Sequence, residues 1–511
     1  MKRIGIDVGG TNTDAVLLDG RTILRSIKTP TTADVTTGVR KALAHVLGGS
    51  DGAPPDVRAV MIGTTHFTNA VIERRGLSKV AVIRIGLPSA SSIPPMADWP
   101  ADLSVAVAGP VFLLEGGHEF DGRPIVVFDR AGMRRAAETI RDSGITAAAI
   151  TAVFSPLIAD CETEAAAILA EIAPHVTVTL SSDLGRIGLI ERENATILNS
   201  ALHGLARHTV AAFRQAVAET GLDGPLYLTQ NDGTVMRAEE AERFPVLCFA
   251  SGPTNSMRGA YLLSGLSEAI VLDVGGTTTD AGMLRAGFPR QANTQVDIGG
   301  VRTFFRMPDV VAVALGGGTI VRDAPFAIGP DSVGFRLLEK TRVAGGDTLT
   351  LTDVGVRLGL IELGDADRLT DVPAVLTDMA QDWIARRLGD LVDRMKTSAA
   401  DMPVVAVGGG AFLVPDRLPG VSAVIKVENA GVANAVGAAM SQVSGECERI
   451  FYGVPRERAI EETRSAAREH AIAAGAAEAT LAVLDMEDTP MSYIPGDPLR
   501  VRVRVIGDLA G

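Results

Sequence analysis

A fifteen-residue pattern is written twice, and it constrains the fold more than any other feature of the chain. Residues 4–18 read IGIDVGGTNTDAVLL and residues 270–284 read IVLDVGGTTTDAGML, with ten of the fifteen positions identical at a fixed offset of 266. So long a spacing points to two related half-structures, not to the short units of a solenoid. In each copy an apolar, β-branched run ends in Asp, passes through Gly-Gly-Thr and enters a second run. That order predicts a strand, a tight glycine turn and a returning strand. Glycines let successive backbone N–H groups converge on one point, which is how a loop holds phosphate oxygens. Asp-x-Gly-Gly also makes a good hairpin turn without any ligand. Turn geometry alone does not call for the matched pairs Thr11/Thr277, Thr13/Thr279 and Asp14/Asp280, so the phosphate reading is preferred. Gly9, Gly10, Thr11, Asn12 and Thr13 form one predicted phosphate loop; Gly275, Gly276, Thr277 and Thr278 form the other. Asp7 and Asp273 end their strands, well placed to hold a hydrated Mg²⁺. Two facing copies would grip one nucleotide from both sides.

At 511 residues the chain exceeds one ordinary core, so two or three domains are expected. Its 46% apolar residues, 55 glycines and 4% aromatics suit a large α/β protein with buried strands and many tight turns. The net charge of −13 disfavours nucleic acid or an anionic membrane as a general partner. Any anionic ligand must be held by local loops. Cys161, Cys248 and Cys447 lie far apart with no CxxC, so no disulfide framework, zinc motif or iron–sulfur motif is expected. The first residues enter a strand directly, and no apolar run approaches ~18 residues, which predicts a cytoplasmic protein.

Helical spacing marks residues 33–47, 130–143 and 161–172; strands are predicted at 57–62, 79–85, 105–114, 125–128, 147–153 and 176–180. Residues 63–76 (GTTHFTNAVIERRG) open like a capped helix, and the Pro/Ser-rich residues 87–102 read as a surface loop. A long amphipathic helix at 191–216 would join the halves. Two apolar strands break into glycine triplets, VVAVALGGGTIV (310–321) and PVVAVGGGAFLV (403–414). The expected division is 1–190 with the first loop, 191–445 with the second, and a small α+β C-terminal appendix at 446–511. Within that tail LRVRVRVIG (499–507) alternates with period two, so Arg500, Arg502 and Arg504 read as a solvated strand face before a partner-binding strip.

This order of elements resembles the actin-like (ribonuclease H-like) ATPase fold of acetate and sugar kinases, actin and heat-shock chaperones. The resemblance implies duplicated halves around a cleft for ATP, with Asp7–Asp14 and Asp273–Asp280 as phosphate loops and Gly408, Gly409 and Gly410 as the adenosine loop. It also implies that helices at 191–205 and 428–443 cross at the hinge. Within that fold the chain is similar to the hydantoinase A / 5-oxoprolinase / acetone carboxylase β-subunit family. The residues carrying this are GTTHFTNAVIERRG, SGPTNSMRGA (251–260), DVGGTTTD, ANAVGAA (433–439) and the tail TPMSYIPGDPLRVRVRV. The family implies ATP-dependent opening of a cyclic amide or imide, such as a hydantoin or 5-oxoproline, with a separate hydantoinase B-type subunit. Two departures stand out. Asp309-Val310-Val311 occupies the place of an Asp-x-His, and RIGLPSASS replaces a Gly-Phe-Arg-Asp signature.

Thr64, Thr65, His66 and Asn69 are the substrate-side candidates, because they cluster where a strand meets a helix N-terminus. Ordinary capping explains the same cluster, and a lone His is more often structural. Ser251, Gly252 and Pro253 either line the cleft or start a helix. Asn231-Asp232-Gly233 reads as a hairpin turn. Two alternatives remain: a stand-alone small-molecule kinase, and a non-enzymatic ATP-driven reactivating chaperone. The first lacks an evident base on the first half, the second a peptide-binding β-domain. Self-association into a homo-oligomer stays open.

Overall fold

A computed structural model describes residues 2–10, 12–31, 35–48, 56–185, 187–292, 296–492 and 496–510. Both copies of the repeat are antiparallel hairpins, Lys2–Val8 with Asn12–Asp19 and Ala269–Val274 with Thr279–Arg285. Each hairpin seeds the same five-strand order. A third antiparallel strand lies outside it, Thr22–Pro30 in one half and Val310–Val313 in the other. Two parallel strands follow on the far side: Val57–Thr64 then Leu226–Thr229, and Met402–Val407 then Val421–Lys426. The first strand of each half is buried from its middle to its carboxyl end, which is why both read as continuous apolar runs and not as alternating ones. The architecture is a duplicated α/β fold, as the repeat predicts, and of the actin-like kind that the resemblance implies.

Sheet membership departs from the expected division of the chain. Leu226–Thr229 and Val235–Arg237, C-terminal to residue 190, pair into the first sheet. The tail does the same. Its strands Val443–Phe451, Leu499–Gly507 and Ala482–Pro490 extend that sheet to nine strands instead of forming one of their own. Leu499–Gly507 therefore has a neighbour on each side, and Arg502 and Arg504 are buried, not solvated. Arg502 bonds Asp485 (2.8 Å) and Glu487 (2.9 Å), and Arg504 bonds Asp232 (2.6 Å). A period-two pattern identifies the strand, but only its neighbours decide whether the polar face meets water or carboxylates.

Residues 80–180 hold a separate parallel sheet, ordered Ala108–Glu115, Val80–Leu87, Ala147–Ala152, Thr177–Leu180, with its own apolar core. Residues 125–128 form no strand, and 101–107 are helical. The loop at 87–102 is pinned from within: Trp99 is buried and its Nε1 donates to Asn194 Oδ1 at 2.8 Å. The helix Leu189–Ala218 is buried on every side from Arg192 to His203 and becomes amphipathic only afterwards. It lies between the helix Val35–Leu47 and the inserted sheet, and its charges are compensated there. Arg84 makes a two-pronged pair with Glu193 (Nε to Oε1 2.8 Å), while Arg192 donates to Ala152 O (2.6 Å) and Ser181 Oγ (2.9 Å). Buried charges persist only with partners of this kind.

The helix crossing at the hinge is also corrected. The partner of Ala433–Met440 is Ser251–Ser264, not the 189–218 helix. Small residues set the spacing: a Cβ on Gly437 would lie 1.9 Å from Asn255 O, and one on Gly259 2.0 Å from Ala433 O. Among the described residues no helix is long and apolar enough to cross a membrane.

Candidate functional site

The two loops close identically. Gly9 N donates to Asn12 O at 3.0 Å and Gly275 N to Thr278 O at 2.8 Å. Antiparallel register places Asp7 opposite Asp14 and Asp273 opposite Asp280. Thr13 Oγ1 meets Thr31 Oγ1 at 3.2 Å, Thr31 donates to Gly9 O at 2.8 Å, and Thr279 donates to Leu315 O at 2.6 Å. Thr11 lies outside the described residues. Each leading carboxylate leans over a glycine of the next parallel strand or its exit. A Cβ on Gly63 would sit 2.6 Å from Asp7 Oδ1, and one on Gly408 2.3 Å from Asp273 Oδ1. Gly408 also has φ +87°, open to glycine but strained for other residues.

Three side chains from the crossing helices tie the two carboxylates together. Asn255 Nδ2 donates to Asp7 Oδ1 (3.1 Å) and Asn434 Nδ2 to Asp7 Oδ2 (3.3 Å). Ser256 Oγ contacts both Asn434 Oδ1 (2.6 Å) and Asp273 Oδ2. Burial pushes the Asp7 and Asp273 carboxyls above the ordinary carboxylate range. Burial raises Asp14 to about 6 against the opposing pull of Lys28, which bonds it at 2.7 Å. Asp280 rises to about 7, through burial and then the nearby charge of Asp273. Asn255, Ser256, Asn434 and Lys28 were not singled out from sequence. The first three lay inside recognisable motifs, SGPTNS and ANAVGAA, which was the available signal.

Four clustered carboxylates, three of them feeling the charge of the single Lys28, make a cation-seeking site. Asp14 Oδ1 is buried with no partner among the described residues, and the donor set is all oxygen, as Mg²⁺ prefers. The residues present fit that ion.

The raised carboxyls give a pH prediction. Asp280 titrates near 3.8 when unfolded and about 7 when folded, so between those values the folded chain holds a proton that the unfolded chain releases. This group's contribution to stability therefore falls as pH rises from about 4 to about 7. Asp280→Asn should match the wild type at pH 4 and melt at least a few degrees higher at pH 8. Thermal unfolding across pH, without nucleotide, tests this; coincident curves would refute it.

The glycine triplet at 408–410 is seated on the second loop, with Gly410 N donating to Val274 O at 2.7 Å. Gly409 faces the other half, where a Cβ would lie 3.9 Å from Lys28 Cε. The triplet at 316–318 backs the same loop. Gly317 N and Gly318 N donate to Gly275 O (3.0 Å) and Gly276 O (2.7 Å). A Cβ on Gly316 would meet Thr277 N at 2.6 Å.

Thr64, Thr65, His66 and Asn69 lie beside the first loop. Thr65 N donates to Val8 O at 3.3 Å, and a Cβ on Gly10 would be 3.9 Å from Asn69 Nδ2. Their polar groups also satisfy one another: Thr64 Oγ1 meets His66 Nδ1 at 2.6 Å, and Asn69 donates to Thr65 Oγ1 at 3.3 Å. Ser251 starts its helix and also bonds both the N–H (3.0 Å) and C=O (2.7 Å) of Thr64. Asn231-Asp232-Gly233 is a hairpin turn. Asp309 is engaged by Arg290 at 2.6 Å, a structural ion pair at the sheet's edge. A cavity of about 700 Å³ lies elsewhere, between the inserted sheet and the tail, lined by Asp183, Phe304, Arg306, Glu446 and His470.

Residues 3–173 match the hydantoinase/oxoprolinase N-terminal region, and residues 192–366 match hydantoinase/oxoprolinase. The chain belongs to the hydantoinase/oxoprolinase family. Within it, the chain is 26% identical over 427 residues to the caprolactamase subunit alpha of Pseudomonas jessenii, covering 77% of this chain and 60% of that one. It is 25% identical over 406 residues to 5-oxoprolinase 1 of Arabidopsis thaliana, covering 70% and 31%. This family member thus spans 60% of the first relative's length and less than a third of the second's. Its fold is shared with the ATP-dependent caprolactamase of Pseudomonas jessenii, with a TM-score of 0.78 at 19% identity over 99% of this chain and 88% of that one. Nucleotide-free acetone carboxylase gives a TM-score of 0.68 at 15% identity over 100% and 88%.

Proposed function

We propose that this hydantoinase/oxoprolinase-family chain is the ATP-using subunit of a hydrolase that opens a cyclic amide or imide, working with a separate B-type subunit. The observation that carries this is the facing pair of glycine loops, whose buried carboxylates Asp7 and Asp273 are linked through Asn255, Ser256 and Asn434. An unactivated amide carbonyl is a poor electrophile. Transfer of the γ-phosphoryl group of ATP to the carbonyl oxygen would activate the carbon. Water adds to it, the C–N bond breaks to release the ring amine, and the acyl phosphate left behind is hydrolysed to carboxylate and inorganic phosphate. Asp7 and Asp273 would hold the magnesium ion, which would neutralise phosphate charge. Backbone N–H groups from Gly9 to Thr13 and from Gly275 to Thr278 position the phosphates, and Gly408–Gly410 borders the nucleoside. Preorganised donors of this kind serve phosphoryl transfer better than covalent participation does. Thr64, Thr65, His66 and Asn69 hold the lactam beside the first loop.

The test is MgATP turnover against a panel of hydantoins, 5-oxoproline and larger lactams, with and without a candidate B-type subunit. Ring opening coupled to ATP cleavage is expected only when both chains are present. A stable phosphorylated product from this chain alone would make it a kinase. ATP cleavage stimulated by a protein client, and by no lactam, would make it a reactivating chaperone.

A further inference from the structure

A second group of ligand-type side chains lies in the inserted parallel sheet, away from the two loops. The imidazole of His118, the carboxylate of Asp160 and the thiol of Cys161 bring one potential ligand atom each to within 4.8 Å of one another. His118 follows the strand Ala108–Glu115, and Asp160 and Cys161 open the helix Asp160–Ile172. All three lie at the carboxyl ends of the parallel strands. The strand Val80–Leu87 has Ala108–Glu115 on one side and Ala147–Ala152 on the other, so the winding reverses there. Open parallel sheets collect ligands at that place.

The backbone holds the histidine firmly. Gly116 and Gly117 take φ of +138° and +82°, turning the chain so that His118 N donates to Val153 O at 3.2 Å. The His118 side chain is only 5% exposed, yet its Nδ1 has no partner among the described residues. Its Nε2 stands 3.6 Å from Asp160 Oδ1, beyond hydrogen-bond range. A buried imidazole normally satisfies its polar nitrogens within the protein, and this one does not. Asp160 is 65% exposed on its side chain, which leaves a solvent path to the cluster.

We propose that His118, Asp160 and Cys161 form a binding site for a zinc-type divalent cation, with one coordination position open. One nitrogen, one oxygen and one sulfur donor suit a borderline-soft ion and would serve Mg²⁺ or Ca²⁺ poorly. Thiolate and carboxylate together neutralise the two positive charges. The thiol proton leaves to solvent as the metal–sulfur bond forms. The site ties the inserted sheet's loop after Glu115 to the helix that follows Ala159. The ligands come from positions 118, 160 and 161, a spacing that matches no sequence motif for zinc, which is why composition and cysteine pattern predicted none.

The probe is Co²⁺ added to the untagged, metal-stripped full-length chain, followed by absorption spectroscopy, with Zn²⁺ as competitor. Tight stoichiometric binding is expected, with visible d–d bands and a near-ultraviolet thiolate-to-cobalt band, both displaced by Zn²⁺. The thiolate band separates this site from the loop aspartates, which offer only oxygen. Cys161→Ser should abolish that band. Asp160→Asn, at an exposed position that does not threaten folding, should weaken binding by more than the roughly 10–100-fold typical of a lost outer-shell partner. A wild-type chain that gives no thiolate band, or an Asp160→Asn chain that binds like the wild type, overturns the proposal.

Discussion

Replacing Asp7 and Asp273 together by Ala should abolish MgATP binding while leaving the nucleotide-free chain folded and at least as stable as the wild type. The two halves of that expectation share one cause. Both carboxyls are buried and pushed above their ordinary range, so ionising them in the empty site costs free energy. A bound divalent cation removes that cost, and the variant has nothing to offer the cation. Wild-type binding of micromolar strength, roughly −8 kcal/mol, should fall in the variant by at least about 100-fold, or about 2.7 kcal/mol. Calorimetric titration of MgATP reads the loss, and thermal unfolding without nucleotide reads the stability. Equal binding heats for variant and wild type would remove the loop carboxylates from the function. A variant that melts well below the wild type would mean that they serve the fold first.

The second large effect is expected at the helix crossing. Gly437→Ala places a methyl group 1.9 Å from the carbonyl oxygen of Asn255, and Gly259→Ala places one 2.0 Å from that of Ala433. Both obstacles are backbone atoms of the partner helix, so no rotamer change relieves them; the helices must separate. Overpacking of this kind costs about 1–3 kcal/mol and more where nothing yields, so each variant should lose about 3 kcal/mol in denaturant unfolding. The same separation draws Asn255 and Asn434 away from Asp7, so nucleotide affinity should fall with stability. Gly431→Ala is the control: a Cβ there meets nothing within 4 Å, and the change should stay within about 0.5 kcal/mol. Wild-type stability in Gly437→Ala would show that the crossing tolerates a wider spacing than its geometry indicates.

Much of the fold was legible locally. An apolar run ending in Asp-Val-Gly-Gly can hardly be anything but a strand entering a tight turn, and both copies are hairpins with the same closing hydrogen bond. The duplication, the fold class and the family followed from motifs of that kind, whose information lies within a few residues of sequence. Long-range pairing was not legible, because the period of a strand does not name its neighbour. Hence Leu226–Thr229 and the tail strands joined the first sheet across expected boundaries, and Arg502 and Arg504 turned inward to Asp485, Glu487 and Asp232.

Around the candidate site the division is the same. Asp7 and Asp273 are marked by their own loops. Asn255, Ser256 and Asn434 look like unremarkable polar residues in small-residue helices until the crossing sets them between the two carboxylates. The crossing partner itself could not be read from periodicity. Ser251–Ser264 is buried along most of its length and shows no clear polar face, whereas the more conspicuous helix Leu189–Ala218 packs against the inserted sheet instead. Local chemistry determined which turns this chain forms and what they are suited to hold. Which side chains face one another across the cleft was decided only when distant segments packed, since that depends on contacts hundreds of residues apart that leave no local pattern.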